Sequence, residues 1–406
     1  MTSAASRSSS GPPEVLRIGI VGGSIGGLTA GVLLHELGHD VRIFERSTAA
    51  LQDRGAGIVV LPITERYFSE KGGSVGKRDP DAGDVALTLT DFTYVDHSGS
   101  IIDSAATNDR FTSWNTLYRA LLDAMPPEHY RLSHEAIAVE QTPDEVTVTF
   151  VDQEPYRCDL LIGADGIAST VRQAVSPGTT IDPSGYVAWR GTVLESDLPP
   201  ATAEAFADAI IYQVLDHSHV LAYAIPGPDD STIRGERALN FVWYRNVDGA
   251  DFEALMTDRD GQRRPATMPP GYMEPRQVSG FRTHAEEVLA PQLADVVLGC
   301  DEPFVQVIFD MVADRFHSGR VVLLGDAAAV ARPHVAAGTA KACADAWALR
   351  DHLAMGEDLH VSLEKWDRQQ SDLARSVAAR SRRMGEASQV SASMVPGDPD
   401  WRFGLY

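Results

Sequence analysis

Cysteine is scarce in this chain, with only Cys158, Cys300 and Cys343 among 406 residues. The three lie far apart and show none of the paired spacings that bind zinc or build a disulfide framework. We therefore expect three reduced thiols, and the pattern excludes a cysteine metal centre and a disulfide-stabilised secreted scaffold.

Basic residues are also in short supply: 35 of them stand against 57 acidic ones, which gives a formal net charge of -22 at pH 7. Such a surface repels nucleic-acid phosphates and anionic lipid headgroups. The chain also lacks any uninterrupted apolar run near the roughly 18 residues that a membrane span needs. We predict neither a nucleic-acid nor a membrane partner, and a cytoplasmic protein.

The first 15 residues are rich in Ser, Ala and Pro, carry Arg7 as their one basic residue and have no apolar centre. They lack the pattern of a secretory signal peptide, so we predict a disordered lead-in over 1–15. No later segment recurs at a fixed period, which excludes a solenoid or a propeller. The length and the 44% hydrophobic content predict two closely joined domains with a large core.

Order is predicted to begin with a β-α-β unit over 16–45. A β-branched run from Leu16 to Val21 ends at glycines, a helical apolar pattern follows up to Gly38, and Val41–Phe44 resumes the strand pattern. The crossover of such a unit makes its two strands parallel. The chain therefore opens like a dinucleotide-binding domain.

A glycine-rich turn joins the first strand to the first helix, where backbone N–H groups and the helix dipole can hold a pyrophosphate. Its residues are Gly22, Gly23, Ser24, Ile25, Gly26 and Gly27. Ser24 replaces the middle glycine of the usual G-x-G-x-x-G pattern, so either the backbone approaches the phosphate less closely or the Ser24 hydroxyl donates to it. A tight turn without a ligand is the alternative.

Glu45 ends the second strand 21 positions after Ser24. A carboxylate at this place accepts hydrogen bonds from both ribose hydroxyls of a bound adenosine. Arg46 follows it and faces either the adenine or solvent. Together with the turn, Glu45 predicts a bound dinucleotide rather than an ordinary surface carboxylate.

The middle of the chain changes to strand patterns at 186–189, 219–223 and 239–244, separated by turns rich in Pro and Gly. These patterns predict a separate antiparallel sheet. A buried strand pattern returns at 320–324, and helical patterns follow it, the last over 361–387. The first domain is thus predicted to be interrupted by the sheet and then completed.

Two later segments each join a strand to a turn that carries a Gly and an Asp, at Asp165–Gly166 and at Gly325–Asp326. Together with the first turn, and in this order, they resemble the three motifs of class A flavoprotein monooxygenases, the FAD-dependent aromatic hydroxylases. The resemblance implies that the earlier segment lies near the FAD pyrophosphate and the path of NAD(P)H, and that Asp326 binds the ribityl hydroxyls, which suits an acceptor-only carboxylate. Taken singly, each segment also fits a strand-turn-helix junction with a capping Asp.

The sequence departs from most members of this class where Gly, Arg, His and Asn are common; it has Ser24, Trp114, Ala329 and Ala340 there. The same departures resemble the dihydroxypyridine hydroxylase subgroup, and the resemblance implies that a helix N-terminus near Gly338 directs N–H groups at the flavin ring. Besides the first turn, Glu45 and Arg46, the implied FAD site comprises Gly57, Trp114, Asp165, Gly166, Gly325, Asp326, Pro333, Ala336, Ala337, Gly338, Thr339 and Ala340.

The fold that the resemblance implies is α/β: a Rossmann-like FAD-binding domain of the para-hydroxybenzoate hydroxylase type, an inserted antiparallel β-sheet domain for the substrate, and a C-terminal helix. The expected FAD-binding domain comprises 16–80, 101–185 and 281–355, the substrate domain 81–100 and 186–280, and the C-terminal helix and tail 356–406.

The implied reaction has two halves: NADH or NADPH reduces FAD, and O2 then gives a flavin C4a-hydroperoxide that hydroxylates an electron-rich ring. We expect a hydroxylated aromatic or N-heteroaromatic substrate similar to 2,6-dihydroxypyridine. A flavin-dependent halogenase or oxidase is the alternative enzyme, although the sequence lacks the W-x-W-x-I-P segment of halogenases. A non-catalytic flavin-binding sensor is the alternative outside enzymes, and a homodimer is one candidate assembly.

The protein's share of this chemistry is to exclude water, orient the ring and help deprotonate a ring hydroxyl. His334 is the first candidate base, because it is expected beside the flavin and an imidazole normally titrates near neutrality. Period-two alternation puts His219 and Tyr223 on one face of a strand, and Arg190 is a candidate partner for a substrate oxyanion. The alternative for His334 is a turn residue. For His219 and Tyr223 it is an ordinary sheet or core residue, and for Arg190 it is a surface ion pair. Candidate aromatic walls, with ordinary core as the alternative, are Trp189, Phe241 and Trp243.

Overall fold

The computed structural model of the protein describes residues 15–51, 57–71 and 85–406. All but the last residue of the lead-in predicted over 1–15 lie outside these ranges. The described chain forms a six-stranded sheet, a ten-stranded sheet, a small three-stranded sheet and ten α-helices.

The strands are, in chain order, β1 (Arg17–Val21), β2 (Asp40–Phe44), β3 (Gly57–Val60), β4 (Leu87–Val95), β5 (Ile101–Ser113), β6 (Tyr130–Arg131), β7 (Ala136–Gln141), β8 (Val146–Phe150), β9 (Gln153–Cys158), β10 (Leu160–Gly163), β11 (Asp182–Leu194), β12 (Ala209–Leu215), β13 (Ser218–Ile225), β14 (Ala238–Asn246), β15 (Thr267–Met268), β16 (Phe304–Val312), β17 (His317–Ser318), β18 (Val321–Leu323) and β19 (Ala329–Val330). The helices are α1 (Ile25–Glu36), α2 (Pro62–Glu70), α3 (Trp114–Ala124), α4 (Arg172–Val175), α5 (Pro200–Ala205), α6 (Gly249–Leu255), α7 (Pro275–Val288), α8 (Pro291–Leu298), α9 (Gly338–Ala354) and α10 (Leu359–Gly385).

The six-stranded sheet has the order β17-β18-β10-β1-β2-β6 and is parallel except at β17. Ile18 of β1 pairs with Leu160 on one side and with Val41 on the other, and all three side chains are fully buried. Gly38, with φ of +97°, follows the last residues of α1 and turns the chain into β2. The predicted β-α-β unit is therefore confirmed, as is the later buried strand that returns to this sheet as β18.

The ten-stranded sheet has the order β15-β16-β11-β14-β13-β12-β4-β5-β3, and β19 pairs with β16. Its pairings are antiparallel except that of β12 with β4. The three strand patterns of the middle region correspond to β11, β13 and β14, which pair with one another. The separate antiparallel sheet predicted from the sequence is confirmed.

Strand β5 belongs to this sheet, whereas the sequence-based division puts 101–185 in the FAD-binding domain. It pairs with β4 because the two strands form a hairpin through a turn in which the Asp96 N–H donates to the Ser100 carbonyl. A hairpin keeps both strands in one sheet. The division of the chain into domains stays a prediction.

Helix α9 packs against α1 and against α10, the long helix predicted over 361–387. Within the described ranges, no helix combines the length and the apolarity of a membrane span. Nor do the described residues bring together three His, Cys, Asp or Glu side chains in a group that would hold a metal ion. Cys158, Cys300 and Cys343 are buried and unpaired.

Candidate active site

The carboxyl ends of β1, β10 and β18 meet at one edge of the six-stranded sheet, where a long cleft lies. It consists of a cavity of about 510 Å³ and a second of about 260 Å³, which share Ser24, Trp114, Ala164 and Gly166 on their walls. The larger cavity reaches the ten-stranded sheet and the smaller one reaches Glu45. Most of the sequence-predicted cofactor residues line one or both cavities.

Two glycines shape the turn between β1 and α1. Gly22 has φ of +106°, and a Cβ there would lie 2.2 Å from the Ala164 carbonyl oxygen. A Cβ on Gly27 would lie 1.9 Å from the Gly22 carbonyl oxygen. Ser24 occupies the N-cap position of α1, yet its side chain makes no capping hydrogen bond. The first-turn N–H groups and the Ser24 hydroxyl are therefore available to a ligand in the cleft.

Glu45 is buried at the end of β2 and lines the smaller cavity beside Arg46. Its Oε2 accepts a hydrogen bond from the Gly23 N–H at 2.9 Å, and its Oε1 accepts one from the Ser47 N–H at 3.0 Å. The carboxylate thus holds the backbone of the glycine-rich turn at Gly23. Each oxygen keeps a second lone pair for a ligand hydroxyl, so ribose binding by Glu45 stays a prediction.

Asp165 caps the turn that follows β10. Its carboxylate accepts hydrogen bonds from the Ser169 hydroxyl at 2.5 Å, from the Thr170 N–H at 2.7 Å and from the Val171 N–H at 3.2 Å. These hydrogen bonds match the alternative stated from the sequence, in which Asp165 caps a strand-turn-helix junction. Gly166, with φ of +75° and open space where a Cβ would be, is the member of the pair that borders both cavities.

Arg172 connects the two Asp-containing turns, a role that the sequence motif did not reveal. Its guanidinium is buried and donates to the carbonyl of Ile167 at 2.5 Å and to that of Ala327 at 3.1 Å. These carbonyls belong to the turns after β10 and β18. Because one side chain fastens both turns, their spacing along the cleft is fixed.

A buried ion pair lies beneath the turn that carries Asp326. Lys341 donates from Nζ to Asp345 Oδ2 at 2.7 Å and to the Gly325 carbonyl at 3.2 Å, and the Gly325 N–H donates to the same Asp345 oxygen at 2.8 Å. Both charged side chains are almost fully buried in α9. Charges four residues apart in an otherwise Ala-rich helix were the sequence signal for this pair.

We expect Lys341→Met to lower the free energy of unfolding by about 3–5 kcal/mol, because it leaves the Asp345 carboxylate buried and unpaired. Adding Asp345→Leu should recover part of that loss. The matched control is Lys365→Met, which removes an exposed pair with Glu357 and should cost less than about 1 kcal/mol. Urea denaturation measures all three; equal effects at Lys341 and Lys365 would contradict the burial argument.

The loop before α9 lines the cavity with Pro333, His334, Ala336 and Ala337, and Ala336 has a left-handed backbone with φ of +51°. Non-glycine residues in this region carry backbone strain, which the surrounding structure must support. Helix α9 begins at Gly338 with no side-chain cap, and a Cβ at Gly338 would meet no atom within 4 Å. A second uncapped helix N-terminus therefore opens onto the cleft.

His334 and His219 lie together in the wall of the larger cavity, with ring centroids 5.2 Å apart. His334 Nε2 lies 2.6 Å from the Tyr186 hydroxyl, and its Nδ1 is buried without a partner in the described structure. Tyr244 packs against both imidazoles with centroids 4.6 Å away. Gly385 makes room for this cluster, because a Cβ there would lie 2.6 Å from the Tyr186 hydroxyl and 2.9 Å from His334 Nε2.

The expectation that His334 titrates near neutrality is wrong. Burial lowers the pKa of His334 well below its ordinary value, and the nearby His219 and Arg332 lower it further. Burial also lowers the pKa of His219 to about 3. Both imidazoles are therefore neutral at pH 7, and the sequence could not show this because it does not reveal burial.

These two histidines should make the protein less stable in mild acid. In the unfolded chain an imidazole takes up a proton below about pH 6.5, whereas the buried rings stay neutral, so stability falls as the pH decreases through that value. We expect a loss of about 1.2 kcal/mol between pH 7 and 5.5 for each of the two, and a slope that approaches about 1.4 kcal/mol per pH unit below that. Urea denaturation at pH 7 and 5.5 measures it. The pH dependence should shrink in the His219→Gln/His334→Gln double variant and persist in His360→Gln, an exposed control.

Alternation along β13 places His219, Leu221 and Tyr223 on the wall of the larger cavity, which confirms that they share a face. Tyr223 is buried and packs on Phe111, with ring centroids 4.4 Å apart. Gly57, on the neighbouring cavity wall, leaves space for it, since a Cβ there would lie 2.6 Å from the Tyr223 ring. This strand thus presents both predicted polar residues to the cleft.

Arg190 also lines the larger cavity and donates from Nη1 to Gln306 Oε1 at 2.9 Å. Its one side-chain hydrogen-bond partner among the described residues is this neutral amide, not a carboxylate, so the surface ion-pair alternative does not hold there. Its buried Nε has no hydrogen-bond partner among the described residues. Because Arg190 lines the cavity and is only partly buried, its guanidinium is available to an oxyanion there.

The proposed aromatic walls at Trp189, Phe241 and Trp243 are wrong. These side chains point to the opposite face of the sheet, where Trp189 stacks on Phe281 at a centroid distance of 4.0 Å. Alternation brings the neighbouring positions to the cavity instead. The aromatic residues that sequence reasoning missed at the cavity are Tyr212, Tyr244 and Phe403.

Comparisons with known proteins agree with this geometry. Models described as an FAD binding domain-like family and an FAD binding domain match residues 184–310 and 305–381. The chain is 36% identical to the 2,6-dihydroxypyridine 3-monooxygenase of Paenarthrobacter nicotinovorans, over 97% of this chain and 96% of that protein. It belongs to the class A flavoprotein monooxygenases, the FAD-dependent aromatic hydroxylases.

Two further relatives define its place in that family. The structure of 2,6-dihydroxypyridine-3-hydroxylase from Arthrobacter nicotinovorans superimposes with a TM-score of 0.90 at 35% identity, over 97% of both chains. A salicylate hydroxylase of Pseudomonas putida is 30% identical over 90% of this chain and 83% of its own. The protein is an FAD-dependent monooxygenase that uses NAD(P)H and O2 to hydroxylate a hydroxylated aromatic ring. The sequence-based α/β fold, cofactor and reaction class are confirmed, which sets aside the halogenase, oxidase and sensor alternatives.

Proposed function

We propose that the ring is 2,6-dihydroxypyridine or a closely similar hydroxylated N-heteroaromatic, bound in the larger cavity between the ten-stranded sheet and the N-terminus of α9. The observation that carries this proposal is the set of polar side chains that line the cavity. One cationic group, Arg190, and a neutral imidazole, His334, share a cavity with the rings of Tyr212, Tyr223 and Tyr244. A flat ring with two oxygens, one of them readily ionised, suits these groups.

The two cavities of the cleft present groups whose chemistry fits the parts of FAD. The uncapped N-terminus of α1 suits the pyrophosphate, and the uncapped N-terminus of α9 suits an anionic flavin ring. Asp326 presents an acceptor-only carboxylate between them, and Glu45 lies at the adenosine end. Bound FAD supplies the transfer of electrons from NAD(P)H to O2 and of one oxygen atom to the ring. The other FAD-holding residues we propose are the sequence-predicted ones that line one of the two cavities; Gly23, Gly27 and Ala340 line neither.

His334 and Arg190 act on the ring from this protein's side. Tyr186 can donate to or accept from His334 Nε2, and when Nε2 carries the proton, the unpartnered Nδ1 accepts the hydrogen of a ring hydroxyl. Arg190 balances the negative charge that grows on a ring oxygen as that hydrogen is drawn away. Both interactions favour the ionised ring hydroxyl, and ionisation raises the electron density on the ring carbon that receives oxygen. His219 and Tyr223 complete the wall and hold the ring in place.

A substrate panel tests the proposed ring. The purified protein is mixed with NADH or NADPH and, in turn, 2,6-dihydroxypyridine, 2-hydroxypyridine, phenol and salicylate, and each product is checked by mass for one added oxygen. We expect kcat/KM for 2,6-dihydroxypyridine to exceed that for the others by about tenfold or more, since 2-hydroxypyridine and phenol lack a second ring oxygen and salicylate has a bulkier carboxylate in its place. Preference for salicylate would overturn the proposal.

Three remaining expectations belong to the same proposal. The two-domain division of the chain predicts that limited proteolysis yields fragments bounded near the predicted limits. A homodimer is the proposed assembly, which light scattering of the eluted protein tests. The buried, unpaired thiols support a reducing cytoplasmic setting, which cell fractionation tests.

A further inference from the structure

The last described segment of the chain forms part of the wall of the larger cavity. Phe403 lines that cavity, and its ring packs near Phe92, Phe111 and Tyr212, with centroid distances of 5.8, 6.3 and 6.5 Å. It is only partly buried, packed against the cluster that holds these rings. Phe403 thus adds an aromatic ring to the cavity wall from outside the ten-stranded sheet.

One arginine of α10 holds this segment in place. Arg380 donates from its guanidinium to the carbonyls of Arg402, Gly404 and Tyr406, the last two at 3.0 Å. Three acceptors on alternate residues require the backbone to follow one path past the guanidinium. Gly404 has φ of +145°, which favours glycine at this point of the path.

The same segment is tied to the loop that carries His334. The Gly404 N–H donates to the Val335 carbonyl at 3.0 Å, and the Leu405 side chain is buried in a cluster with Val335 and Ala337. On the other side, the Arg402 guanidinium lies over the Phe92 ring, 4.6 Å from its centroid. The segment therefore bridges the loop before α9 and the ten-stranded sheet at the level of the proposed ring site.

We propose that Phe403 is a specificity-determining residue that packs against the substrate ring, and that Arg380 is a positioning residue that sets where Phe403 lies. An aromatic wall excludes water from the ring and restricts its tilt, because aromatic rings pack best in offset or edge-to-face geometry. This inference rests on the aromatic-hydroxylase function but not on which ring is used, so it is tested with the best substrate of the panel.

The balance of the reaction supplies the readout. When the ring is held in place, NAD(P)H, a proton, O2 and a ring C–H give NAD(P)+, a ring C–OH and water. When the ring is misplaced, NAD(P)H, a proton and O2 give NAD(P)+ and hydrogen peroxide, with no change to the ring. The ratio of hydroxylated product to NAD(P)H consumed therefore reports the placement of the ring.

The first experiment replaces the aromatic wall. We expect Phe403→Ala to raise the KM for the ring about tenfold or more and to divert a larger share of NAD(P)H to hydrogen peroxide, since it removes a large apolar contact. FAD content should stay at the parent level. The matched control is Tyr406→Ala in the same segment, whose side chain is 92% exposed and which should behave like the parent. A parental KM and product ratio in Phe403→Ala overturns the proposal.

The second experiment separates positioning from general stability. Arg380→Met should reproduce the higher KM and the peroxide yield of Phe403→Ala, and the double variant should be no worse than either single one, because both act on the same contact. Arg375→Met, on the same helix and paired with Asp372, is the control. The positioning role would be refuted if the two increases in KM multiplied in the double variant. It would also be refuted if Arg380→Met kept the parental ratio of hydroxylated product to NAD(P)H consumed. A chain that hydroxylates none of the panel would refute the proposed substrate instead.

Discussion

Asp326→Ala should yield a protein that purifies without FAD. The Asp326 carboxylate is exposed on the cavity wall, in the turn that follows β18 of the six-stranded sheet. A hydrogen bond to a charged group contributes about 1.5–3 kcal/mol, so losing two such bonds to ribityl hydroxyls weakens FAD binding by about a hundredfold or more. The flavin-to-protein absorbance ratio after gel filtration measures retention, and titration with FAD measures the affinity.

Two controls separate ligand loss from damage to the fold. Asp314→Ala removes an exposed carboxylate in the preceding loop and should keep the parental FAD content. Asp326→Asn keeps one acceptor oxygen and should lie between the parent and Asp326→Ala. Far-ultraviolet circular dichroism should be unchanged in all three. If Asp326→Ala retained as much FAD per protein as the parent, the proposed role of this carboxylate in FAD binding would be refuted.

The three flavin motifs could be found from the sequence because each is a local strand-turn-helix junction. Strand, glycine and aspartate are adjacent along the chain, so their physical relation is already fixed by backbone geometry. The motif alone does not show how each carboxylate divides its hydrogen bonds. The carboxylates of Glu45 and Asp165 accept hydrogen bonds from backbone N–H groups of neighbouring turns, while Asp326 faces the cavity.

The substrate side was harder to predict for a reason that Trp189 and Arg190 illustrate. Alternation shows that neighbours on a strand point to opposite faces, but it does not show which face borders a cavity. Trp189 was a candidate wall with ordinary core as the alternative, and the side chain is packed in the core against Phe281. A pocket that binds a polar ring needs the arginine on its wall and leaves the tryptophan to the other face.

Contacts across long sequence separations carried no signal at all. Tyr186 meets His334 across 148 positions, and Gly385 of α10 leaves the space in which they meet. Phe403 lines the cavity from a segment that Arg380 of α10 contacts across 24 positions of the chain. The altered pKa of His334 follows from the same packing. Such features depend on the tertiary structure, since no local pattern specifies them.

His334→Ala should leave FAD bound and lower kcat by about a hundredfold or more, because a group that handles a proton of the reacting ring contributes at this level. The KM should change less than kcat, since the aromatic wall and Arg190 remain. Because burial keeps the pKa of His334 well below its ordinary value, the imidazole stays neutral as the pH falls. The kcat of the parent enzyme should therefore show no loss with a midpoint near pH 6.5.

Tyr186→Phe is the matched variant for this role, because it removes the hydroxyl that lies 2.6 Å from His334 Nε2 and keeps the ring. Without that hydroxyl, Nε2 loses its partner, and the balance between the two neutral tautomers of His334 changes. We expect kcat to fall less than in His334→Ala, and the combined variant to be no slower than His334→Ala alone. Parental kcat in His334→Ala, or a kcat profile that follows an imidazole titrating near pH 6.5, would show that ring activation does not depend on this neutral histidine.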